Sequence, residues 1–452
     1  MKKFLSHNKL MPLYGILINL CYKINWFTPI IWLTIYFCET YNKSPTQKNA
    51  KTLLALNHNR FRNDLEILAN SNNFKIIILP HFWMCRLQYA LYKGPVSFDT
   101  IFKPSHEDKI HHEKLSKFTA LFMPKLYAKM GIDGVVSAAN HYISDYLWGS
   151  QSSKNGAAYI ILHKENLYAS EAMQQYKKKL WSKVPDFTCD LLIVHNTIMR
   201  DIFIESGIVD KTRCYALGAM RMDQFLKKYW HKPTPLQDQK QVTLFSFTHR
   251  IGVGDGIPHW YEESDNHEGF INLFKETHYA FALFAKNNPN VKCVIKPKWG
   301  GKWTEQIENA VQEHGLNLSD IPNIEIDITT PAPKLIENSR AVLGYSSTTL
   351  LESVVIGDRE IIISLLGEAN RPDYKGRIFL EQDLSNFKTA ENVDELIEIL
   401  EEVTKDEPVK INKETQKKRE EIFERWISPS SAKATENYIK HINQAIEKKK
   451  SA

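Results

Sequence analysis

The chain has 452 residues, of which 43% are hydrophobic and 24% charged. That composition supplies a large core, enough for two domains, and excludes a disordered, collagenous or coiled-coil chain and a small disulfide scaffold. Its 58 basic residues outnumber 52 acidic ones to leave a net charge of +6, too small a surplus over this length to imply nucleic acid and one that suits an anionic substrate or membrane surface.

Residues 10–38 are rich in Leu, Ile, Trp, Phe and Tyr, but Lys23 and Asn25 interrupt the run and Pro29 falls within its second half. Neither apolar half reaches the ~20 residues of a spanning helix. No small-residue cleavage site follows a compact apolar stretch, so a removed signal peptide is not expected. Residues 1–45 therefore read as an apolar helical segment, packed on the body of the protein or lying as a helix pair on a membrane surface, with a true span the least favoured alternative. The cysteines Cys21, Cys38, Cys85, Cys189, Cys214 and Cys293 form no Cys-x-x-Cys pair. Several sit in apolar runs as small hydrophobes, which fits a reducing cytoplasm with neither a zinc site nor a disulfide framework.

From residue 51 the chain alternates short β-rich apolar runs with helical stretches, the pattern of βα units on a parallel sheet. Strands are predicted at Thr52–Leu56, Lys75–Leu79, Gly134–Ser137, Ala158–Leu162, Leu191–His195 and Arg213–Leu217. Residues 229–241 are polar, carry Pro233 and Pro235, and read as a linker. The alternation restarts with strands at Val242–Phe247, Val291–Lys296, Ile324–Ile328, Ala341–Tyr345 and Glu360–Leu365, and helices near 268–286, 303–314, 332–338, 348–356 and 393–403. Helices close the chain over 407–452, broken at Ser428-Pro429-Ser430-Ser431. The expected fold is α/β, with Rossmann-like parallel-sheet domains at 46–228 and 242–406 facing a cleft, and with ligands beyond the carboxyl ends of the strands.

The sharpest strand-end loop is Gly344-Tyr345-Ser346-Ser347-Thr348, which runs into a helix containing Glu352. Free backbone N–H groups and the positive end of that helix prepare it for a phosphate, held by Ser346, Ser347 and Thr348, while Glu352 is placed to accept from a ribose. Ordinary capping by Ser or Thr explains the same residues. Lys296-Pro297-Lys298-Trp299-Gly300-Gly301 follows the strand before it, where Lys296 and Lys298 suit an anionic group. Thr248-His249-Arg250 follows the first strand of the second domain and offers His249 and Arg250 to a phosphate; the glycines after it do not match G-x-G-x-x-G. In the first domain Asn57 to Asp64 and His163-Lys164-Glu165 follow strands. Asp64 and Glu165 are candidate general bases, with His163 beside Glu165 to orient it. Arg60 and Arg62 are expected to lower the pKa of Asp64, which ranks Glu165 above it.

No D-x-D, H-E-x-x-H, G-x-S-x-G or Walker pattern occurs, which leaves a metal-independent transfer from an activated, phosphate-bearing donor. Taken together, the two-domain layout, the Gly344–Glu352 turn, the Lys296–Lys298 strand end and the closing helices resemble the GT-B glycosyltransferases over about residues 50 to 445. More narrowly, Asp133-Gly134-Val135-Val136, Leu162-His163-Lys164-Glu165, Leu217-Gly218 with Arg221 and Asp223, and Phe245-Ser246-Phe247-Thr248 resemble bacterial surface-carbohydrate biosynthesis proteins of that class. The resemblance implies a nucleotide-sugar donor on the second domain and a glycan or glycolipid acceptor on the first. It matches Ser346–Thr348 to the phosphate turn and Glu352 to the ribose carboxylate. Retaining members often carry a second glutamate eight residues earlier, where this chain has Gly344, so an inverting mechanism is expected. The implied protein is a cytoplasmic glycosyltransferase at the inner face of the cell membrane, needing no metal or cofactor and binding no nucleic acid. It would build a capsule, other surface polysaccharide or lipopolysaccharide. A CDP-polyol phosphotransferase of similar fold, or a non-catalytic sugar-nucleotide-binding subunit, fits the same residues.

Overall fold

The computed structural model describes residues 11–41, 49–184, 187–232, 240–248, 251, 270–370, 372, 376–407 and 409–451. The chain divides into unit 1, formed by Met1–Asn166, Trp181–Arg221 and Lys433–Ala452, and unit 2, formed by Leu167–Leu180 and Met222–Ala432. The last helix thus returns to the first unit, and a short segment after the fifth strand clusters with the second.

Unit 1 opens with α1 (Met11–Lys23), α2 (Thr28–Phe37) and the short β1 (Glu39–Thr40). There follow β2 (Lys51–Leu56), α3 (Arg62–Asn70), β3 (Phe74–Leu79), α4 (His81–Tyr89), α5 (Phe98–Phe102), α6 (His106–Met130), β4 (Gly134–Ser137), α7 (Ile143–Lys154) and β5 (Ala158–Leu162). Beyond α8 (Glu171–Trp181), most of which clusters with unit 2, come β6 (Leu191–Val194), α9 (Thr197–Glu205) and β7 (Cys214–Ala216). Among the described residues these strands form one sheet in the order β1-β3-β2-β4-β5-β6-β7, parallel throughout except for β1 against β3. Both faces are covered, which is why every residue of β4, β5 and β6 is buried and the last two are unbroken apolar runs.

Unit 2 contains α10 (Asp223–Tyr229), β8 (Gln241–Phe245), α11 (Ile271–Asn287), β9 (Lys292–Lys296), α12 (Lys302–Gln312), β10 (Ile324–Ile326), α13 (Ala332–Asn338), β11 (Ala341–Gly344), α14 (Thr348–Glu352), β12 (Glu360–Ser364), β13 (Lys388–Ala390), α15 (Val393–Val403) and α16 (Lys413–Trp426). Its sheet is parallel in the order β10-β9-β8-β11-β12-β13. The helix expected over 348–356 stops at Glu352 and tightens into a 3-10 turn over Ser353–Val355. Ser353 Oγ donates to Leu350 O at 2.6 Å, and that local bond competes with the regular helix.

Each sheet reverses its strand order once, between β2 and β4 in unit 1 and between β8 and β11 in unit 2. These two switch points are where loops diverge to opposite faces and leave a crevice beyond the strand ends. The unit 1 core is closed by α17 (Ala434–Ser451), whose Ala434, Tyr438, Ile442 and Ile446 pack with Leu53, Ile160 and Leu162. Their four-residue spacing places one apolar stripe on the sheet, and Tyr438 donates its hydroxyl hydrogen to Gly218 O at 3.0 Å. In unit 2, α16 is held to β12 by the buried pair Arg419 Nη2 and Glu360 Oε1, 2.6 Å apart.

Candidate functional site

At the unit 2 switch point Gly344 stands opposite Phe245. A Cβ on Gly344 would lie 2.7 Å from the Phe245 carbonyl oxygen, so only glycine lets the two strand ends approach this closely. The chain then turns through Ser346, whose φ of 50° is left-handed and unusual for a residue with a side chain. Ser347 caps α14, its Oγ accepting from Thr349 N, and lies 2.6 Å from Thr349 Oγ1. Ser346, Ser347 and Thr348 are half-buried, whereas Glu352 is only 4% exposed.

The neighbouring strand ends complete this edge. Ser246 N donates to Lys296 O at 3.0 Å, which joins the ends of β8 and β9. His278 Nδ1 donates to Phe274 O, so its Nε2 accepts from Ser246 Oγ at 2.9 Å. Burial pushes this imidazole down to about 4, and it stays neutral as a brace for β8. Lys296 is half-buried, and desolvation lowers its pKa against the opposing charge of Asp327. Burial acts to raise the pKa of Asp327, but hydrogen bonds from Thr330 and Thr329 outweigh it and hold the carboxyl below its ordinary range. Lys298 is exposed and rests 4.8 Å over the Trp299 ring. The structure therefore places Lys296 at the end of β9 and Ser346, Ser347 and Thr348 after β11, with the end of β8 between them; His249 and Arg250 lie outside the described residues.

The unit 1 switch point has a different chemistry. Asn57 ends β2 at φ 50°, and the chain enters α3 with Asp64 in its first turn. Asp64 is buried, and burial raises its pKa against the opposing charges of Arg221 and Lys164. The expected lowering by Arg60 and Arg62 is not found, because both guanidinium groups point elsewhere. Arg62 Nε donates to Glu66 Oε1 at 2.9 Å, and Arg60 lies 5.1 Å over the Tyr142 ring. His163 is 1% exposed, with Nε2 donating to Glu165 O at 2.8 Å. Asn166 Nδ2 donates to His163 O, while Asn166 Oδ1 accepts from His195 N, a ladder that stitches the ends of β5 and β6. His163 thus orders the Glu165 backbone rather than its carboxylate. That carboxylate lies 3.5 Å from Lys164 Nζ, with the side chain 36% exposed.

Two further groups at this edge escaped the sequence reading. Asp145, in the first turn of α7, is fully buried with no hydrogen-bond partner on either carboxylate oxygen. Burial pushes it up to about 7, with Asn57 and Arg60 acting the other way. Its Oδ1 lies 3.8 Å from Nδ1 of His81, the first residue of α4, whose side chain is 49% exposed. Burial and Arg60 lower the pKa of His81, so it is neutral at pH 7. Cys85 Sγ stands 3.4 Å from His81 Nε2. Burial pushes that thiol up to about 11, and it remains protonated. The strand-end rule that found Glu165 points equally to His81, which follows β3 after Pro80, and to the loop after β4.

No family model matches the sequence, and no curated protein matches it. Solved structures do. The wall teichoic acid polymerase TagF aligns with a TM-score of 0.50 at 12% identity, covering 99% of this chain and 100% of its own. UDP-GlcNAc 2-epimerase from Neisseria meningitidis, bound to UDP-GlcNAc, aligns at 0.45 and 14% identity over 87% of this chain and 100% of its own. HepE from Anabaena, in complex with UDP and glucose, aligns at 0.39 and 11% identity over 88% and 99%. The fold is that of the GT-B enzymes. In GT-B terms the six-stranded sheet of unit 2 is the second Rossmann-like domain and the seven-stranded sheet of unit 1 the first. Identity this low speaks for the fold alone.

Proposed function

We propose that this protein is a glycosyltransferase that moves a sugar from a nucleotide-activated donor to a surface polysaccharide or lipopolysaccharide acceptor at the inner face of the cell membrane. The observation that carries the reading is the Ser346–Thr348 turn. It sits at the switch point of unit 2, half-exposed, with Lys296 two strand ends away and a helix start behind it. Hydroxyls, free N–H groups and a lysine at a strand end form a seat for a diphosphate. Glu352 serves the ribose in this reading, and its burial requires that the sugar reach it at the base of the turn. His249 and Arg250 are proposed as further phosphate contacts.

The transfer is inverting. A base takes the proton of the acceptor hydroxyl, its oxygen attacks the anomeric carbon from the face opposite the phosphate, and the anomeric C–O bond breaks with its electrons leaving on the nucleoside diphosphate. Lys296 and the turn N–H groups stabilise that departing charge. Glu165 is one candidate base, and Asp64 is too deeply buried to reach substrate without movement. A specific observation favours His81 instead: it is accessible and neutral, and the buried Asp145 carboxylate 3.8 Å behind it would stabilise the imidazolium that forms.

The test is a thermal-shift screen of CMP-, CDP-, UDP- and GDP-sugars, followed by product analysis with the donor that binds. A ligand at 100 times its dissociation constant adds about 2.7 kcal/mol of stability. A glycosidic product supports the reading. A phosphodiester product would replace it with polyol-phosphate transfer from a CDP-linked donor, and donor binding without turnover on any acceptor pool would reduce the protein to a binding subunit.

A further inference from the structure

In α1 and the turn after it, Leu13, Ile16, Leu20 and Ile24 are each more than half exposed, as are Trp26 and Trp32 further on. The spacing of the first four is that of a single helix stripe. The opposite side of α1, with Tyr14, Ile18 and Cys21, is buried. There it meets α4 through Tyr14 and Trp83, with ring centroids 5.3 Å apart, and Asn19 Nδ2 donates to Ala90 O at 2.9 Å. Trp83 Nε1 donates in turn to Thr34 Oγ1 of α2 at 2.8 Å. The helix pair is therefore anchored to the body by one apolar face while a second apolar face stays in water. Isolated exposed leucines are ordinary; six large apolar side chains in one segment are a patch.

What surrounds the patch is positive. Residues 11–38 contain no acidic residue and one basic one, Lys23. In the adjoining half of α6, Lys117 pairs with Glu113 at 2.7 Å, while residues 114–130 also hold Lys114, Lys125 and Lys129 and no acidic residue. Tyr22 and Phe27 each meet Phe118 of α6 edge-on, with ring centroids 5.9 Å apart, which fixes that helix beside the pair. Lys125 Nζ lies 4.9 Å over the Phe27 ring, Lys129 Nζ lies 5.2 Å over Trp32, and Leu121, four residues before Lys125, is exposed. No described helix is long and apolar enough to cross a membrane. An apolar stripe with a flanking row of lysines fits one occupant by charge and by apolarity together, the surface of an anionic bilayer.

We infer that α1, α2 and the lysine row of α6 form a monolayer-inserting face selective for anionic lipid headgroups. This deepens the membrane location in the proposed function and names its chemistry, and it is tested without donor or acceptor, so its failure leaves the transfer reading standing and the converse also holds. The experiment is co-sedimentation of the full-length protein with phosphatidylcholine vesicles, with and without phosphatidylglycerol. Expected is strong binding only where phosphatidylglycerol is present, weakening as salt rises. Lys125→Ala with Lys129→Ala should lower the partition coefficient roughly 30-fold, about fivefold per lysine. Ile16→Ser with Leu20→Ser should abolish binding while circular dichroism stays unchanged, because both side chains already face water. Equal binding to neutral vesicles, or wild-type binding by the lysine variant, would overturn the headgroup assignment. A stable dimer in light scattering, dissociated by Ile16→Ser with Leu20→Ser and showing no vesicle binding, would assign the face to a second copy of the chain.

Discussion

The two strand-end edges are built by the same βα alternation and carry opposite chemistry. In unit 1 the edge buries titratable groups: Asp64, Asp145, His163 and His195 are all less than one-tenth exposed, and burial is the leading cause of the shift in Asp64, Asp145 and His195. In unit 2 it presents hydroxyls and a lysine, and a carboxylate there, Asp327, accepts on Oδ1 from both the Thr329 and Thr330 N–H groups. Burial without a partner moves a carboxyl toward neutrality, while backbone donors keep it ionised. In the proposed function the first arrangement would handle protons and the second would hold an anion, a division of labour between equivalent positions of a repeated architecture.

The largest expected effect breaks the proton-handling half. His81→Ala should lower kcat by about 10²- to 10⁴-fold with donor affinity unchanged, and Glu165→Gln should lower it far less. The reverse ranking in steady-state assays would return the base to Glu165. Because burial holds the pKa of His81 below its usual value, the acid limb of the rate profile should fall below about pH 6.5.

Asp145 gives the next effect, with the sign set by linkage. Its carboxyl titrates near 7 when folded against 3.8 as its ordinary value. Between these the folded chain holds a proton that the unfolded chain has lost, so stability falls as pH rises from about 4 to about 7, by up to about 4 kcal/mol. Asp145→Asn removes that penalty. Denaturant midpoints should show the variant more stable than wild type above pH 7 and little changed near pH 4, while its turnover drops. A variant less stable at every pH would show that the carboxylate is paired in the fold.

A smaller effect tests the anion-holding half. Ser346→Ala with Ser347→Ala should weaken donor binding by about 1.5–3 kcal/mol for each hydrogen bond lost to a charged phosphate, roughly 10- to 150-fold. Calorimetric titration of the folded double variant checks this. Unchanged affinity would leave these hydroxyls as helix caps only, a role the Ser347–Thr349 contact already shows they can fill.

Legibility in the sequence followed the length of the apolar runs. Gly134–Ser137 and Ala158–Leu162 occur as predicted because central parallel strands are apolar on both faces. The edge strands β1 and β13, at Glu39–Thr40 and Lys388–Ala390, have no such run and gave no signal. Chemistry was harder to read than architecture. The charges that act on Asp64 come from Lys164 and Arg221, about 100 and 157 positions away along the chain, and not from the arginines beside it. Asp145 looks in sequence like any acidic residue in a helix's first turn; its burial is decided by tertiary packing around the α7 start.

The smallest expected effect is none at all, and it sharpens what the unit 2 edge does. Many transfers from nucleoside diphosphates place a divalent cation on the leaving phosphates, which needs carboxylates free to ligate it. This chain has no D-x-D, and among the described residues no three His, Cys, Asp or Glu side chains gather where they could hold a metal ion. Asp327, beside Lys296, already accepts two backbone hydrogen bonds on Oδ1, which leaves that oxygen little capacity to ligate a cation. If the turn N–H groups and Lys296 carry the leaving-group charge instead, the rate in excess EDTA should equal the untreated rate, and Lys296→Ala should slow turnover more than EDTA does. A loss in EDTA restored by Mg²⁺ would move the charge-stabilising role from Lys296 to a cation and make Asp327 the first residue to mutate.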